Sequence, residues 1–396
     1  MKLKKIDING VGGIKSLRVR FRDDMNIICG PNGIGKSTIL LAATFPFLYG
    51  GTNRVKRNVL TERGNITLEV QDRDITFTPS VDVNTHLPQD WLNHYSHDGF
   101  DKRKLFRFDT TRNFDYQLLG ALNADKRLDE SEVSQQLNTG INLHNIKEWF
   151  AKRTLFEKVD RGYGPNTLRN LTLARVCISI LNPDFSFSRV DPRTYDIFVN
   201  TPTGEIWYEY LSSGFKSCMS LLLGIIKEIE IRYSDEDIYA PEFDGVILID
   251  EIELHLHPEW QAKITEALTK TFPSAQFIIT THSPHVVQNA NANQIIALIS
   301  DQDGLVRLKE LPENEMGYSA WTIEEVLLDV MGMQSTLSRD LQKKLDEFEH
   351  CIDSEDYDGA HKIYEHLDKA LHQSNVLRKS LKISLTSIRE RDEEND

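Results

Sequence analysis

The sequence predicts an α/β fold: a mixed, largely parallel sheet flanked by helices, interrupted by a mostly helical insertion and followed by a helical C-terminal region. Three observations carry that prediction. The runs "MNIIC" (25–29), "VILI" (246–249) and "QFIITT" (276–281) are apolar without alternation, as strands covered on both faces are. Helical spacing surrounds them, in "KSTILLAATFPFL" (36–48), 214–233 and 258–271, so strands alternate with helices. From about 318 the pattern becomes helical, charged and acidic to the end.

Taken in order, residues 3–9 and 17–22 alternate apolar and polar and, with 25–29, give three opening strands. "NITLEV" (65–70) and "DITFT" (74–78) read as a hairpin, closing a first lobe at 1–79. Residues 80–183 are rich in His, Asp and Asn, carry short amphipathic helices and no sustained heptads, and read as the insertion. A second lobe, 184–312, opens with strands near 185–190, 195–200 and 205–208 and closes with strands near 294–299 and 305–310. Residues 313–396 form the C-terminal helical region, with helices expected at 337–354, 356–372 and 374–390.

Composition narrows the function classes. The chain has 396 residues, of which 40% are hydrophobic, enough for a sizeable core. No run of 18 apolar residues exists, which argues against a bilayer span. The opening "MKLKKIDING" lacks the apolar core of a signal peptide, and the four cysteines form no C-x-x-C pair. A cytoplasmic location without a membrane partner is expected. The net charge of −14 is concentrated in residues 301–396, which hold 23 acidic and 12 basic side chains. The rest is nearly balanced, so the basic runs "RVKR" (54–57) and "DKRKLFR" (101–107) leave contact with DNA open.

The polar stretches at strand ends carry the chemistry. "GPNGIGKST" (30–38) fits G-x-x-x-x-G-K-[ST] between a strand and a helix. Gly30, Gly33 and Gly35 let backbone N–H groups turn inward around nucleotide phosphates; Lys36 adds a mobile cation and Ser37 a Mg²⁺ ligand. In "VILIDEIELHLHP" (246–258), Asp250 at the strand end suits Mg²⁺, and Glu251 suits the base that deprotonates water. Glu253, His255 and His257 alternate temptingly for a metal, but without a third clear ligand a structural or dimer-contact role is the better reading. "LSSGFKS" (211–217) opens a long helix and makes a second anion-binding turn. Two such turns, each fixed in the sheet, do not reach one γ-phosphate in one subunit. A head-to-tail dimer is therefore expected, with Ser213 and Gly214 of one copy facing the ATP on Lys36 of the other. "TTHSP" (280–284) ends the next strand and places His282 to sense the γ-phosphate.

The order GPNGIGKS, LSSGFKS, VILIDE, TTHSP resembles the ABC-type P-loop ATPase heads of the SMC/RecF group over residues 1 to about 310. "DEIELHLHP" is similar to the compact bacterial ATPases of OLD nucleases and antiphage systems. The tail, with "GYSAWTIEEVLLDVMGM" and "DYDGAHKIYEHLDKAL", resembles the Septu and retron-associated defence ATPases. The resemblance implies a Walker A site at Gly30, Asn32, Gly33, Gly35, Lys36, Ser37 and Thr38. It also implies a signature at Ser212, Ser213 and Gly214, a Walker B pair at Asp250 and Glu251, and a switch at His282. ATP and Mg²⁺ are the implied cofactors. For the family's Q-loop glutamine, Gln89 and Gln117 are both candidates, and Arg112 is a further charge near the nucleotide.

Two function classes follow. In the first, ATP closes the dimer, or a higher homo-oligomer, and the motion controls a separately encoded effector; an HNH nuclease suits the Septu-like resemblance. In the second, a RecF-like repair ATPase binds DNA directly, which needs a continuous basic face. A transporter subunit is disfavoured, because the signature follows the phosphate loop by far more than such chains use.

Overall fold

Residues 1–95, 99–110, 118–159, 163–312 and 317–395 are described by a computed structural model. β1 (Lys2–Val11) and β2 (Ile14–Arg20) pair antiparallel, while β3 (Met25–Cys29) is buried at every position. α1 (Lys36–Thr44) follows β3 through a six-residue loop. Next come β4 (Tyr49–Thr52), β5 (Gly64–Asp72), β6 (Ile75–Phe77), β7 (Ser80–Val83), β8 (Leu92–Tyr95) and β9 (Leu105–Phe108). Helices α2 (Glu130–Thr139), α3 (Ile146–Leu155) and α4 (Pro165–Leu181) lead to a meander of β10 (Ser186–Val190), β11 (Ile197–Thr201) and β12 (Gly204–Trp207). α5 (Ser213–Arg232) precedes β13 (Val246–Ile249), α6 (Pro258–Gln261), α7 (Ile264–Thr271), β14 (Gln276–Thr280), α8 (Pro284–Gln288), β15 (Ile295–Ser300) and β16 (Val306–Leu308).

The central sheet runs β16-β15-β3-β14-β13-β9, parallel except for β16 at one edge. A second sheet, β2-β1-β5-β6 with β7 beside β5, is antiparallel. Strand periodicity divides the central sheet between two cores. Ile247 and Ile249 of β13 join Phe277 and Ile279 of β14 under α4, α5 and α7. Val246, Leu248 and Ile278 face the other way, toward α1 and the antiparallel sheet. Each such buried aliphatic side chain stabilises the fold by roughly 1.5–3 kcal/mol before entropy is counted. Both faces being covered is why these strands read as unbroken apolar runs. Their carboxyl ends share one edge of the sheet, the usual place for a ligand in an open α/β sheet.

Three strands, β7, β8 and β9, lie where the sequence predicts a mostly helical insertion, and β9 joins the central sheet. β9 pairs in parallel with β13 in the register Leu105–Val246 to Phe108–Ile249 and closes the central sheet. Its sequence, "LFRF", hides the strand because Arg107 is only 2% exposed. The guanidinium is tolerated there because it bonds the carbonyls of Leu137 and Asn138 at 3.0 and 2.8 Å and the Asp109 carboxylate at 2.8 Å. Phe106 stacks on Phe243, and the Arg232 guanidinium lies over the Phe106 ring.

The chain divides into two compact units, Met1–Met333 and Gln334–Asp396. Tyr318, Val326, Val330 and Met331 belong to the core of the first unit, so the helical tail detaches later than the expected 313. In between, α9 (Ile323–Glu325), capped by Thr322, continues into a wide turn at Val326–Val330. The second unit holds α10 (Arg339–Asp353), α11 (Tyr357–Ala370) and α12 (Val376–Asn395), capped at Ser338 and Asp356 and closed over Phe348, Ala360, Leu367, Leu381 and Leu385.

Candidate functional site

β3 ends at Cys29, and the backbone turns at once. Gly30 has φ +141°, and a Cβ there would lie 2.4 Å from the Leu298 carbonyl oxygen, so no larger residue fits. Gly35 has φ +106° and caps α1 in the left-handed region, with Ile14 close behind it. This loop and the first turn of α1 border a cavity of about 510 Å³ lined by Asn32, Gly33, Gly35, Lys36, Ser37, Thr38, Glu251 and His282. The Lys36 ammonium is folded back over the loop, donating to the carbonyls of Gly30 at 2.8 Å and Pro31 at 3.0 Å. Burial lowers its pKa from the ordinary lysine value, against the opposing pull of nearby Cys29 and the Glu253, Glu251 and Asp250 carboxylates.

β13 delivers the acidic pair. Asp250 Oδ1 accepts from Ser37 Oγ at 3.0 Å and from Thr280 Oγ1 at 2.6 Å, tying α1, β13 and β14 together at one atom. Thr280 Oγ1 in turn accepts from the backbone N–H of Glu251 at 2.8 Å. Glu251 sits at φ +47°, a left-handed conformation that costs a non-glycine residue about 1–3 kcal/mol. The turn aims its side chain into the cavity wall while the chain leaves the sheet.

Glu253, for which a structural or dimer-contact role is expected, is engaged within the chain. Its carboxylate accepts from Thr281 Oγ1 at 2.8 Å and from the backbone N–H of His282 at 2.5 Å. It therefore fixes the loop that carries His282. Nδ1 of His282 lies 3.3 Å from Lys36 Nζ, and an ammonium has only donors, so Nδ1 accepts and Nε2 carries the proton. Burial first, and the Lys36 charge second, hold the imidazole below the ordinary histidine pKa. His257 caps α6 through Nδ1, and His255 sits in a left-handed turn. Among the described residues, no group of three His, Cys, Asp or Glu could hold a metal ion by itself.

Comparison with known proteins places this geometry. A family model described as "AAA domain, putative AbiEii toxin, Type IV TA system" matches residues 25–288, and one described as "AAA ATPase domain" matches 1–47. Septu protein PtuA of Bacillus thuringiensis is 40% identical over 388 residues, covering 98% of this chain and 98% of that protein. The chain belongs to the Septu PtuA family. The retron Ec83 probable ATPase of Escherichia coli is 28% identical over 64% of this chain and 47% of its own length. Among solved structures, the SMC head domain from Thermotoga maritima superposes with a TM-score of 0.48 at 17% identity, over 79% of this chain and all of that one.

Ser212, Ser213 and Gly214, the residues expected to form a signature, stand apart from the cavity. Ser212 caps α5, its Oγ accepting from Phe215 N–H at 3.3 Å, and Ser212 and Ser213 are exposed. None of Ser212, Ser213 and Gly214 lines the cavity that holds Lys36. Gly214 is buried against α6, where a Cβ would meet Trp260 at 2.9 Å.

Among the described residues, no glutamine lines the Lys36 cavity. Gln89 is exposed in the turn after β7, on the antiparallel sheet, while Gln117 and Arg112 lie outside the described residues. The strand flanking β13 is β9, whose Phe108 carbonyl accepts from Asp250 N–H at 3.0 Å. Asp109 follows it, held by Arg107 at 2.8 Å and Arg54 at 2.7 Å. Several cations of the basic runs are engaged within the chain. Arg54 pairs with Asp109, Lys102 with Glu130, Arg103 with Asp101 and Glu236, and Lys104 with Asp72. Among the described residues no helix is long and apolar enough to cross a membrane.

Proposed function

We propose that this chain binds ATP in the Lys36 cavity and hydrolyses it between two copies arranged head to tail. In this reading it serves as the sensor subunit of an antiphage defence complex and controls a separately encoded effector, an HNH nuclease. One observation carries the proposal. Lys36, Ser37, Glu251 and His282 converge from three segments on one cavity, with Asp250 bonded to Ser37 at 3.0 Å, while the turn at Ser212–Gly214 does not line it. A second copy supplies what one copy leaves out.

Each residue then has a task. Lys36 exchanges its carbonyl partners for phosphate oxygens, which the backbone N–H groups of residues 33–37 and the α1 dipole also favour. Ser37 and Asp250 would hold Mg²⁺. Their oxygens lie 3.0 Å apart, close to the roughly 2.9 Å that separates neighbouring ligands of an octahedron with 2.0–2.1 Å bonds, and both are hard donors. When bound, that ion neutralises charge on the phosphate oxygens. Glu251 accepts the proton of the attacking water, positioned by Thr280 through its backbone N–H. His282 donates Nε2–H toward the γ-phosphate, and Glu253 holds it in place. Ser213 from the partner copy completes the pocket.

The test is the mass in solution of the Glu251→Gln chain with ATP and Mg²⁺. A doubled mass that reverts in Ser213→Arg supports the composite site; a single-copy mass with saturating ATP overturns it. Co-purification with the product of the neighbouring reading frame tests the effector. The DNA-binding alternative draws less support from the basic runs, because Arg54, Arg103 and Lys104 are engaged in ion pairs.

A further inference from the structure

A second cavity, of about 400 Å³, lies between α2, α3 and the last turns of α5, and shares no lining residue with the nucleotide cavity. Its size suits a small molecule of mononucleotide dimensions. Six charged side chains line it, and five are engaged by other groups of the protein. Lys126 pairs with Glu132, and Lys152 and Arg153 with Asp125 at 3.0 and 2.8 Å. Glu228 pairs with Arg232 at 2.8 Å, and Glu148 accepts from the backbone and side-chain N–H groups of Asn123 at 2.6 and 2.9 Å.

Lys227 is the exception. It lines the cavity from α5, and no hydrogen bond or ion pair engages it among the described residues; Glu228 and Glu148 act on it only through space. Burial depresses its pKa from the ordinary lysine value. A half-buried ammonium without a partner beside a polar cavity is suited to receive an anion. The neighbouring amides add donors rather than acceptors. Gln136 spends its oxygen on Arg232 at 2.6 Å, and Asn142 spends its oxygen on His144 N–H at 2.8 Å, so each leaves its NH₂ group over. Three ammonium protons and two amide groups suit an anion with several oxygens.

We propose that this cavity is a second ligand site that takes a small phosphate-bearing molecule, with Lys227 as its charged contact. Because Lys227 lies 14 residues along α5 from Ser213, about 21 Å at helical rise, the ligand would sit at the far end of the helix that carries the signature. The inference does not depend on the dimer.

The experiment uses the full chain with Lys36→Ala, so that the first cavity no longer reports phosphate. Thermal unfolding is followed against rising AMP and, separately, inorganic phosphate. The expected result is a concentration-dependent rise of the midpoint by a few degrees for at least one probe, lost when Lys227→Met is added. A flat midpoint with both probes, or a rise that survives Lys227→Met, overturns the proposal. Should the double variant not fold, lysine acylation of the Lys36→Ala chain read peptide by peptide decides: Lys227 shielded by the effective probe supports the site, and unchanged labelling refutes it.

Discussion

The two ends of the nucleotide machinery are built differently. Around Lys36 and Asp250 every functional group is already tied: the ammonium to two carbonyls, the Asp250 carboxylate to two hydroxyls, Glu253 to the switch loop. At the head of α5, Ser213 is exposed and Ser212 makes only its own cap. The first region is preorganised within one chain, the second presents donors outward. On the proposed reading, a single copy holds the phosphate side and the metal-side carboxylate but not the closing contact. Substitutions at the two ends should therefore fail in different ways.

The largest effect is expected at the water. Glu251→Gln should cut ATP turnover by about 10²–10⁴-fold, measured by phosphate release, while ATP affinity is kept. Unchanged turnover would remove Glu251 as the base. Lys36→Ala should weaken ATP binding by about 100-fold, the loss of charge-assisted bonds worth about 3 kcal/mol, read by titration calorimetry. A smaller loss is expected from Glu253→Gln, which turns an NH₂ group toward the donors of Thr281 and His282. Turnover should fall about tenfold, some 1.4 kcal/mol of barrier, with ATP affinity within a factor of two or so. An equal fall in affinity would move Glu253 from positioning the switch to holding the nucleotide side. Phe348→Ala should leave ATP turnover unchanged while costing the second unit about 3–5 kcal/mol, because among the described residues its core holds five buried side chains. Loss of turnover in that variant would tie the helical unit to the chemistry.

The contrast also sorts what the sequence discloses. The residues that the structure brings together around Lys36 (the 30–38 loop, Asp250, Glu251 and His282) are legible because each stands in a run of special residues in adjacent positions. The buried strands are legible because a parallel sheet covered on both faces leaves no polar alternation. β9 escapes that reading. Its central residue is an arginine, and the carbonyls and carboxylate that make Arg107 tolerable come from positions 109, 137 and 138, which no local pattern connects to it. Glu253 escapes for a similar reason: its partners lie 28 and 29 residues further on. The boundary of the tail escapes because Tyr318 and Val330 sit in a stretch whose helical spacing matches that of the following unit, although they bury into the first.

Gly214→Asp, the obvious way to block a signature turn, is a poor probe, because the new side chain would strike Trp260 before it reached any neighbour. Ser213 is exposed and carries no such cost. The most direct measurement mixes two inactive chains, one with Lys36→Ala and one with Ser213→Arg, and follows phosphate release. If each copy completes the other's pocket, the mixed dimer regains one intact site, formed by the Lys36 of one chain and the Ser213 of the other, and activity returns on mixing. If Ser213→Arg is fully active alone, or the mixture stays silent at every ratio while both chains remain folded, ATP is not shared between copies.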